Sequence, residues 1–194
     1  MSENLSFPDY LEKVLRAQPL FTGVVVLTDI VGSTSLARSL PAKEWKKMLE
    51  RHLDKARFYK DRYEGYELGT TGDGVMLAFP TGDKGADFAT SFEQDTGDPL
   101  IRIRVGIEFG TVLRLNDFEV CGVMLHHLAR ILDLMENPGI IMTAAAKTDI
   151  DRQLGAEVER LGIQPFPHPP IRDFENEDEV LYEIVNPVAG RCGC

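Results

Sequence analysis

Apolar residues follow two different periods along this chain, and each period predicts one kind of secondary structure. Helical spacing near the N-terminus predicts a short amphipathic helix, from the apolar positions Phe7, Tyr10, Leu11, Val14 and Leu15. An unbroken, largely β-branched run over residues 24–27 then predicts a buried central strand. That strand leads through Asp29 and Gly32 into a helix that begins at Ser33.

The same two periods predict the remaining elements. A long helix begins near Pro41, and two apolar runs around Gly72-Asp73-Gly74 predict a β-hairpin over residues 66–79. Later elements are expected to be helices over residues 84–94, 121–135 and 144–154 and strands over 101–107, 139–143 and 180–185. A bend or bulge is expected at Gly110, before a second hairpin over residues 112–120. The prolines between residues 165 and 170 exclude a regular element there.

This order of elements predicts the fold class and the domain organisation. Helices over a mainly antiparallel sheet make an α+β sandwich, and no internal repeat or linker divides the chain. We therefore expect a single domain over residues 1–194. Its parts are a core at about 23–186, an N-terminal helix within 1–21 and a flexible tail at 187–194.

Composition excludes several classes of function. The 194 residues are 43% hydrophobic and carry a net charge of −10, which suits one soluble domain and argues against a nucleic acid partner. No apolar stretch approaches the roughly 20 residues that cross a bilayer, so no membrane span is expected. Three cysteines do not make a disulfide framework, and we expect a reducing, cytoplasmic location.

Two acidic residues carry the candidate chemistry, because each lies at the end of a predicted strand. Asp29 closes the first strand and Asp73 lies at the tip of the first hairpin. Neighbouring carboxylates are costly unless a divalent cation joins them, and free amides after Gly32 would suit phosphates. Taken alone, the loop after Asp29 is explained equally well by a metal and phosphate site and by a buried strand that ends at an ordinary helix cap. The second acid, Asp73, favours the metal site. His52, on an apolar helical stripe, is predicted to be a core or interface residue.

Four stretches, in the family's own order, resemble the class III nucleotidyl cyclases, which are the adenylate and guanylate cyclase catalytic domains. The stretches are Leu27-Thr28-Asp29-Ile30-Val31-Gly32-Ser33-Thr34, Thr70-Thr71-Gly72-Asp73-Gly74, Ile103-Arg104-Val105-Gly106-Ile107-Glu108-Phe109-Gly110, and Gly122 to Arg130 with Pro138-Gly139-Ile140-Ile141. They resemble, in turn, the metal loop, the second metal acid, the strand before the dimerisation arm, and the helix and strand that follow. The match covers residues 23 to about 150 and implies the ferredoxin-like class III cyclase fold.

The resemblance implies a nucleoside triphosphate site shared between two subunits of a head-to-tail homodimer. Two Mg²⁺ or Mn²⁺ ions would be held by Asp29, Asp73 and the carbonyl of Ile30; one would lower the pKa of the ribose 3′-hydroxyl and the other would hold the triphosphate. The phosphates would lie against the backbone amides of Val31, Gly32, Ser33 and Thr34. Arg130 of the other subunit would stabilise the transition-state phosphoryl oxygens, unless it is simply a helix-surface arginine.

The chain departs from the family at positions that contact the ribose, the base and the phosphates. His126 stands where the family has an asparagine that touches the ribose, and His127 beside it is assigned to an interface. Gly69 replaces the base-selecting lysine of adenylate cyclases, and Glu119 occupies the position of its partner acid. A phosphate-binding lysine near the C-terminus has no clear equivalent, although Arg172 lies close to its expected place.

These departures leave three functions open. In the favoured one the metal chemistry is retained and the base pocket is rebuilt, as in the small bacterial pyrimidine cyclases that this short chain resembles. Those enzymes make cyclic UMP or cyclic CMP from UTP or CTP as an alarm during phage infection. The alternatives are an adenylate cyclase with an altered base pocket and a catalytically inactive, cyclase-like module that binds a nucleotide or a partner. Retention of Asp29, Asp73 and Arg130 favours an active enzyme.

Overall fold

The computed structural model describes residues 5–17, 19–115, 120–174 and 179–185. The helices are α1 (Phe7–Ala17), α2 (Ser33–Ser39), α3 (Ala42–Arg62), α4 (Gly82–Gln94), α5 (Val123–Asp133) and α6 (Ala144–Leu154), and a 3₁₀ helix follows over Gly155–Leu161. The strands are β1 (Leu20–Ile30), β2 (Tyr66–Thr70), β3 (Val75–Phe79), β4 (Ile103–Arg114), β5 (Val120–Cys121), β6 (Gly139–Thr143), β7 (Ile163–Phe166) and β8 (Leu181–Ile184).

All the described strands join one sheet, in the order β2-β3-β1-β4-β6-β8-β7, and β5 pairs with the C-terminal end of β4. Only β4 and β6 run parallel; the other described pairs are antiparallel. This confirms the predicted α+β fold with a mainly antiparallel sheet flanked by helices. Among the described helices, none combines the length and the apolar character that crossing a membrane requires.

The core has two halves, one on each face of the sheet, because alternate residues of a strand point to opposite faces. Val24 and Val26 pack with apolar residues of α3, α4 and α6. Val25 and Leu27 pack with apolar residues of α1 and α5 on the other face. The run at residues 24–27 is unbroken because helices cover both sides of β1, which confirms the prediction of a buried central strand.

The structure corrects the bend or bulge that was expected at Gly110. Strand β4 continues without a register shift through Gly110 to Arg114, so there is no bend or bulge at that glycine. A Cβ at Gly110 would lie 2.5 Å from Met124 Sδ, and one at Gly106 would lie 2.7 Å from Leu128 Cδ1. These glycines therefore let α5 approach β4 closely instead of bending the strand.

Two further boundaries differ from the sequence prediction. Residue Cys121 pairs with Leu113 as part of β5, so helix α5 begins two residues later, at Val123. Pro165 lies inside strand β7, although the prolines of this stretch predict no regular element there. It is tolerated because β7 is an edge strand, and a proline there leaves no missing hydrogen bond to a second neighbour.

Candidate functional site

The two predicted metal acids lie at one end of the sheet, Asp29 on β1 and Asp73 in the turn before the neighbouring strand β3. Asp29 is the penultimate residue of β1, and Asp73 lies in the turn that leads into β3. The Val75 amide donates to Thr28 Oγ1 at 2.9 Å. A Cβ at Gly74 would lie only 1.9 Å from the Thr28 carbonyl oxygen, so glycine is required for this close approach. The turn that carries Asp73 is thus held against the residue that precedes Asp29.

Asp73 has a polar atom that the described chain does not satisfy. Its Oδ2 atom is buried and has no hydrogen-bond partner among the described residues. Leaving such an atom unpaired costs on the order of 1–3 kcal/mol, and more when the group is charged. A divalent cation at this oxygen would remove the cost. The carboxylate therefore fits the metal that the resemblance implies.

The donor set at this end of the sheet is small. Nowhere in the described ranges do three or more His, Cys, Asp or Glu side chains gather as a metal site. Asp29 and Asp73 would have to be supplemented by backbone carbonyls such as that of Ile30, by water and by substrate oxygens. That is the usual arrangement for Mg²⁺, which binds through one or two carboxylates together with phosphates.

Arg104 is a cation at this end that sequence reasoning missed. It lies opposite Asp29 on the antiparallel strand β4, and its guanidinium makes two hydrogen bonds to Asp29 Oδ2, one of them from Nε at 3.0 Å. Its Nη1 atom donates to the carbonyls of Leu132 and Met135, at 3.2 and 3.0 Å, at the end of α5. Arg104 therefore balances the charge of Asp29 and ties the end of α5 to the acidic end of the sheet. The available signal was the alternation along β4, which places Arg104 on the face opposite to Ile103.

The predicted phosphate loop connects β1 to α2 and has an open conformation. Gly32 adopts φ 67°, and no atom lies within 4 Å of where its Cβ would be. Ser33 begins α2, and no side chain caps that helix, so the ordinary helix cap considered above is not formed. Thr34 is exposed on the first turn. Val31 differs from the expectation, because its amide already donates to the Arg102 carbonyl oxygen at 2.8 Å and so shapes the loop rather than offering a donor to phosphate.

The predicted cationic residues lie together on a second part of the surface. His126 and Arg130 are four residues apart on the outer face of α5, and His126 is exposed. Arg130 contacts Asp173 Oδ2 through Nε at 2.9 Å and Nη2 at 2.8 Å. Arg172 Nε lies 3.8 Å from the same oxygen. The structure thus brings both predicted phosphate-binding arginines to one carboxylate, although they are far apart in the sequence.

His127 does not face an interface, and its assignment to one is wrong. Its side chain is buried, with Nδ1 3.1 Å from Glu108 Oε1 and Nε2 2.7 Å from Glu179 Oε2. Burial alone would lower the pKa of His127, but the two carboxylates outweigh it and raise the pKa to about 10. The imidazole ring also packs on Phe174, with ring centroids 4.6 Å apart.

The other predicted positions have simpler surroundings. His52 is a buried core residue, as predicted: Nδ1 lies 2.9 Å from the Thr96 carbonyl oxygen and the ring stacks on Phe92. Burial lowers the pKa of His52, against the opposing effects of Thr96 and of the Asp73 charge. Gly69 lies in β2 opposite Met76. Glu119 lies outside the described residues.

Comparison of the fold with solved structures identifies its architecture. The guanylate cyclase domain of RhGC from Catenaria anguillulae, in complex with GTP, matches with a TM-score of 0.70 and 18% identity over 86% of this chain and 98% of that one. The adenylyl cyclase CyaB from P. aeruginosa matches with a TM-score of 0.70 and 17% identity, over 86% and 96%. This chain has the fold of a nucleotide cyclase catalytic domain.

A third similar structure, an adenylate cyclase from Trypanosoma brucei, matches the cyclase fold with a TM-score of 0.67 and 21% identity, over 87% of this chain and 90% of that one. No protein-family model and no curated protein matches the sequence. Sequence similarity to these cyclases is therefore low, while the fold extends over nearly the whole of their length. Residue roles must rest on the geometry of this chain.

Proposed function

We propose that this chain is a metal-dependent nucleotidyl cyclase, which converts a nucleoside triphosphate to a 3′,5′-cyclic nucleotide and pyrophosphate. The observation that carries the proposal is the unpartnered, buried oxygen of Asp73 beside Asp29, at the end of β1 in a cyclase fold. A bound cation is one way to complete such an oxygen. Asp83, Glu108 and Asp151 also have one, and Asp73 is distinguished from them by its place next to Asp29 at the end of β1. The alternative of an inactive binding module does not account for a buried Asp73 oxygen that is kept without a partner among the described residues.

The reaction forms one bond and breaks one. The ribose O3′ atom attacks the α-phosphorus, pyrophosphate leaves with the electrons of the broken P–O bond, and the hydroxyl proton is lost to solvent. Asp29 and Asp73, with the Ile30 carbonyl, would hold one or two Mg²⁺ or Mn²⁺ ions. When bound, such ions make the 3′-hydroxyl more acidic and offset the charge of the triphosphate.

The remaining residues act on the phosphates directly. The loop at residues 32–34 would donate amides to phosphate oxygens, and Arg104, already at this end, adds a fixed positive charge next to them. Arg130 and Arg172 would supply the charge that stabilises the transferring phosphoryl group, with His126 beside the ribose. In one chain Arg130 is directed at Asp173, so we propose that it serves the acidic end of a second copy in a head-to-tail dimer.

We further propose a pyrimidine substrate, UTP or CTP, giving cyclic UMP or cyclic CMP as a cytoplasmic signal in defence against phage. Two features support it: the resemblance of this short chain to the pyrimidine cyclases, and the glycine at residue 69. Gly69 leaves no long cation on β2 to select adenine. An adenylate cyclase with an altered base pocket is the second candidate.

The test is to incubate the purified chain with each of the four nucleoside triphosphates and Mn²⁺ and to identify the products by mass spectrometry. We expect a cyclic pyrimidine nucleotide and pyrophosphate in equal amounts. Cyclic AMP as the sole product would replace the pyrimidine proposal by the second candidate. Absence of any cyclic nucleotide, with nucleotide binding retained, would establish the binding module instead.

A further inference from the structure

His127 lies on the inner side of α5, where three parts of the chain meet. Glu108 reaches it from β4 and Glu179 from the segment before β8, at 3.1 and 2.7 Å. Phe174 packs on the ring. Nδ1 makes a hydrogen bond with Glu108 Oε1, whereas Nε2 contacts Glu179 Oε2 without hydrogen-bond geometry. A ring between two carboxylates is favoured as the cation, and its charge attracts both acids.

Residues 171–174 form a tight turn, which we call the arginine turn. Ile171 is 2% exposed, and its carbonyl oxygen accepts from the Phe174 amide at 2.9 Å. Arg172 and Asp173 form the exposed tip, and Asp173 adopts φ 71°. A left-handed conformation in a residue other than glycine persists only where the surroundings hold it. The arginine turn is therefore held by its buried first residue, Ile171, and by its half-buried last residue, Phe174.

The tip of the arginine turn determines where the Arg130 side chain points. Arg130 Nε donates to Asp173 Oδ2 at 2.9 Å, and Nη2 lies 2.8 Å from the same oxygen, so this ion pair orients the guanidinium. Asp173 is 61% exposed, and an ion pair at such a site contributes little free energy by itself. The backbone of the turn, anchored by Ile171 and by the contact of Phe174 with His127, therefore contributes to the position of Asp173 and so to that of Arg130.

We propose that His127 is a positioning residue, which holds the arginine turn against α5 through Glu179 and Phe174 and so sets the direction of the Arg130 guanidinium. The proposal rests on the proposed function, in which Arg130 faces the transferring phosphoryl group. Helix α5 is itself held on β4 by the close approaches at Gly106 and Gly110. His127 therefore transmits the fixed position of the sheet to the turn.

The two acids of His127 offer a matched pair of variants. Glu179→Gln and Glu108→Gln each remove one negative charge beside the same imidazolium. Glu179 lies five positions after Phe174 in the sequence, whereas Glu108 lies on β4. We expect Glu179→Gln to speed hydrogen exchange of the Phe174 amide about tenfold or more. It should also lower kcat by about 10-fold to 100-fold with KM nearly unchanged, because a small misplacement of a catalytic cation is costly. Glu108→Gln should change the exchange rate and kcat by less than about threefold.

Several results would overturn the proposal. Equal losses of kcat in both variants would show that the cluster acts only through general stability, and unchanged exchange at Phe174 in Glu179→Gln would show that the turn is held by something else. If Glu179→Gln does not fold, Phe174→Leu keeps every charge and should give the same pattern of exchange and kcat. A wild-type chain that forms no cyclic nucleotide would contradict the proposed function, while the exchange measurement would still decide whether His127 holds the turn.

Discussion

The acidic end of the sheet and the arginine turn differ in how completely the chain satisfies them. Asp73 keeps a buried oxygen without a partner among the described residues, although Asp29 beside it is paired with Arg104. Arg130 has its charge met by Asp173 on the turn, with Asp133 3.7 Å away on α5 itself. At the acidic end one carboxylate oxygen is unsatisfied among the described residues, whereas the Arg130 guanidinium is paired within the chain.

The difference indicates how each region would work. An incomplete acidic site gains free energy when a cation enters, so its affinity for metal is stored in the unliganded chain. A satisfied arginine gains nothing by itself, but its orientation is already determined, which lowers the entropy lost when a phosphoryl group arrives.

The first prediction concerns Asp73. Asp73→Asn should lower turnover by about 1,000-fold or more, because a carboxylate that holds a metal contributes several kcal/mol to the transition state. The melting temperature without metal should stay the same or rise, since an unpaired buried charge is removed. Mn²⁺ should stabilise the wild-type chain against heat and have little effect on the variant. Asp54→Asn, on the exposed side of α3, is the control and should match the wild type in all three measurements.

The second prediction tests whether the two regions belong to one site in different subunits. Arg130→Lys should lower kcat by about 100-fold, because lysine cannot supply a two-point planar contact. An equal mixture of Arg130→Lys and Asp73→Asn chains should recover about a quarter of the wild-type activity, since half of the dimers then contain one intact site of two.

The control is a mixture of two chains that each carry a substitution at the acidic end. Asp29→Asn mixed with Asp73→Asn should recover nothing, because every shared site then carries one of the two changes. If the Arg130→Lys mixture also recovers nothing while its chains form mixed dimers, Arg130 acts within its own chain and the head-to-tail arrangement is wrong.

The third prediction concerns the stability of the turn region. His127→Gln should lower the free energy of unfolding by about 3 kcal/mol, because it leaves two carboxylates near each other without the cation between them. Urea denaturation at pH 7 gives the value. His126→Gln, one residue away and exposed, should change it by less than about 0.5 kcal/mol. Equal effects of the two variants would contradict the buried ion pair.

The fourth prediction is the pH dependence of the same region. The pKa of His127 is raised to about 10 in the folded chain, from 6.5 for an unperturbed histidine, by Glu108 and Glu179 acting against burial. Its stabilisation is therefore complete below about pH 6.5 and is lost as the pH rises toward 10, by up to about 1.4 kcal/mol per pH unit. Urea midpoints at pH 7, 8 and 9 should fall more steeply for the wild type than for His127→Gln. Parallel slopes would show that other groups cause the loss.

Local patterns were sufficient for most of the fold. Apolar spacing predicted α6 with its observed bounds and placed the hairpin of β2 and β3 around Asp73. The errors came where tertiary contacts override local preference. Gly110 serves the close approach of α5 and not a bend, and Pro165 is accepted because β7 lies at the edge of the sheet. Neither fact is contained in the residues next to these positions.

The candidate site divides in the same way. Asp29 and Asp73 could be selected from the sequence, because each follows or precedes an apolar run that predicts a strand end. Arg104 could not, since its contact with Asp29 depends on the register between two strands that are distant in sequence. His127 was misjudged because helical spacing alone does not show which neighbour covers a given face of α5.

Period and composition are local properties of a chain, so they were sufficient to predict the kinds of element and the acidic residues at the ends of two strands. The pairing of charges depends on tertiary packing. That packing placed Arg104 against Asp29, Asp173 against Arg130, and two glutamates around His127. Such pairs join residues that are 19 to 75 positions apart in the chain, where the relative packing of strands, helix and turn sets the distance.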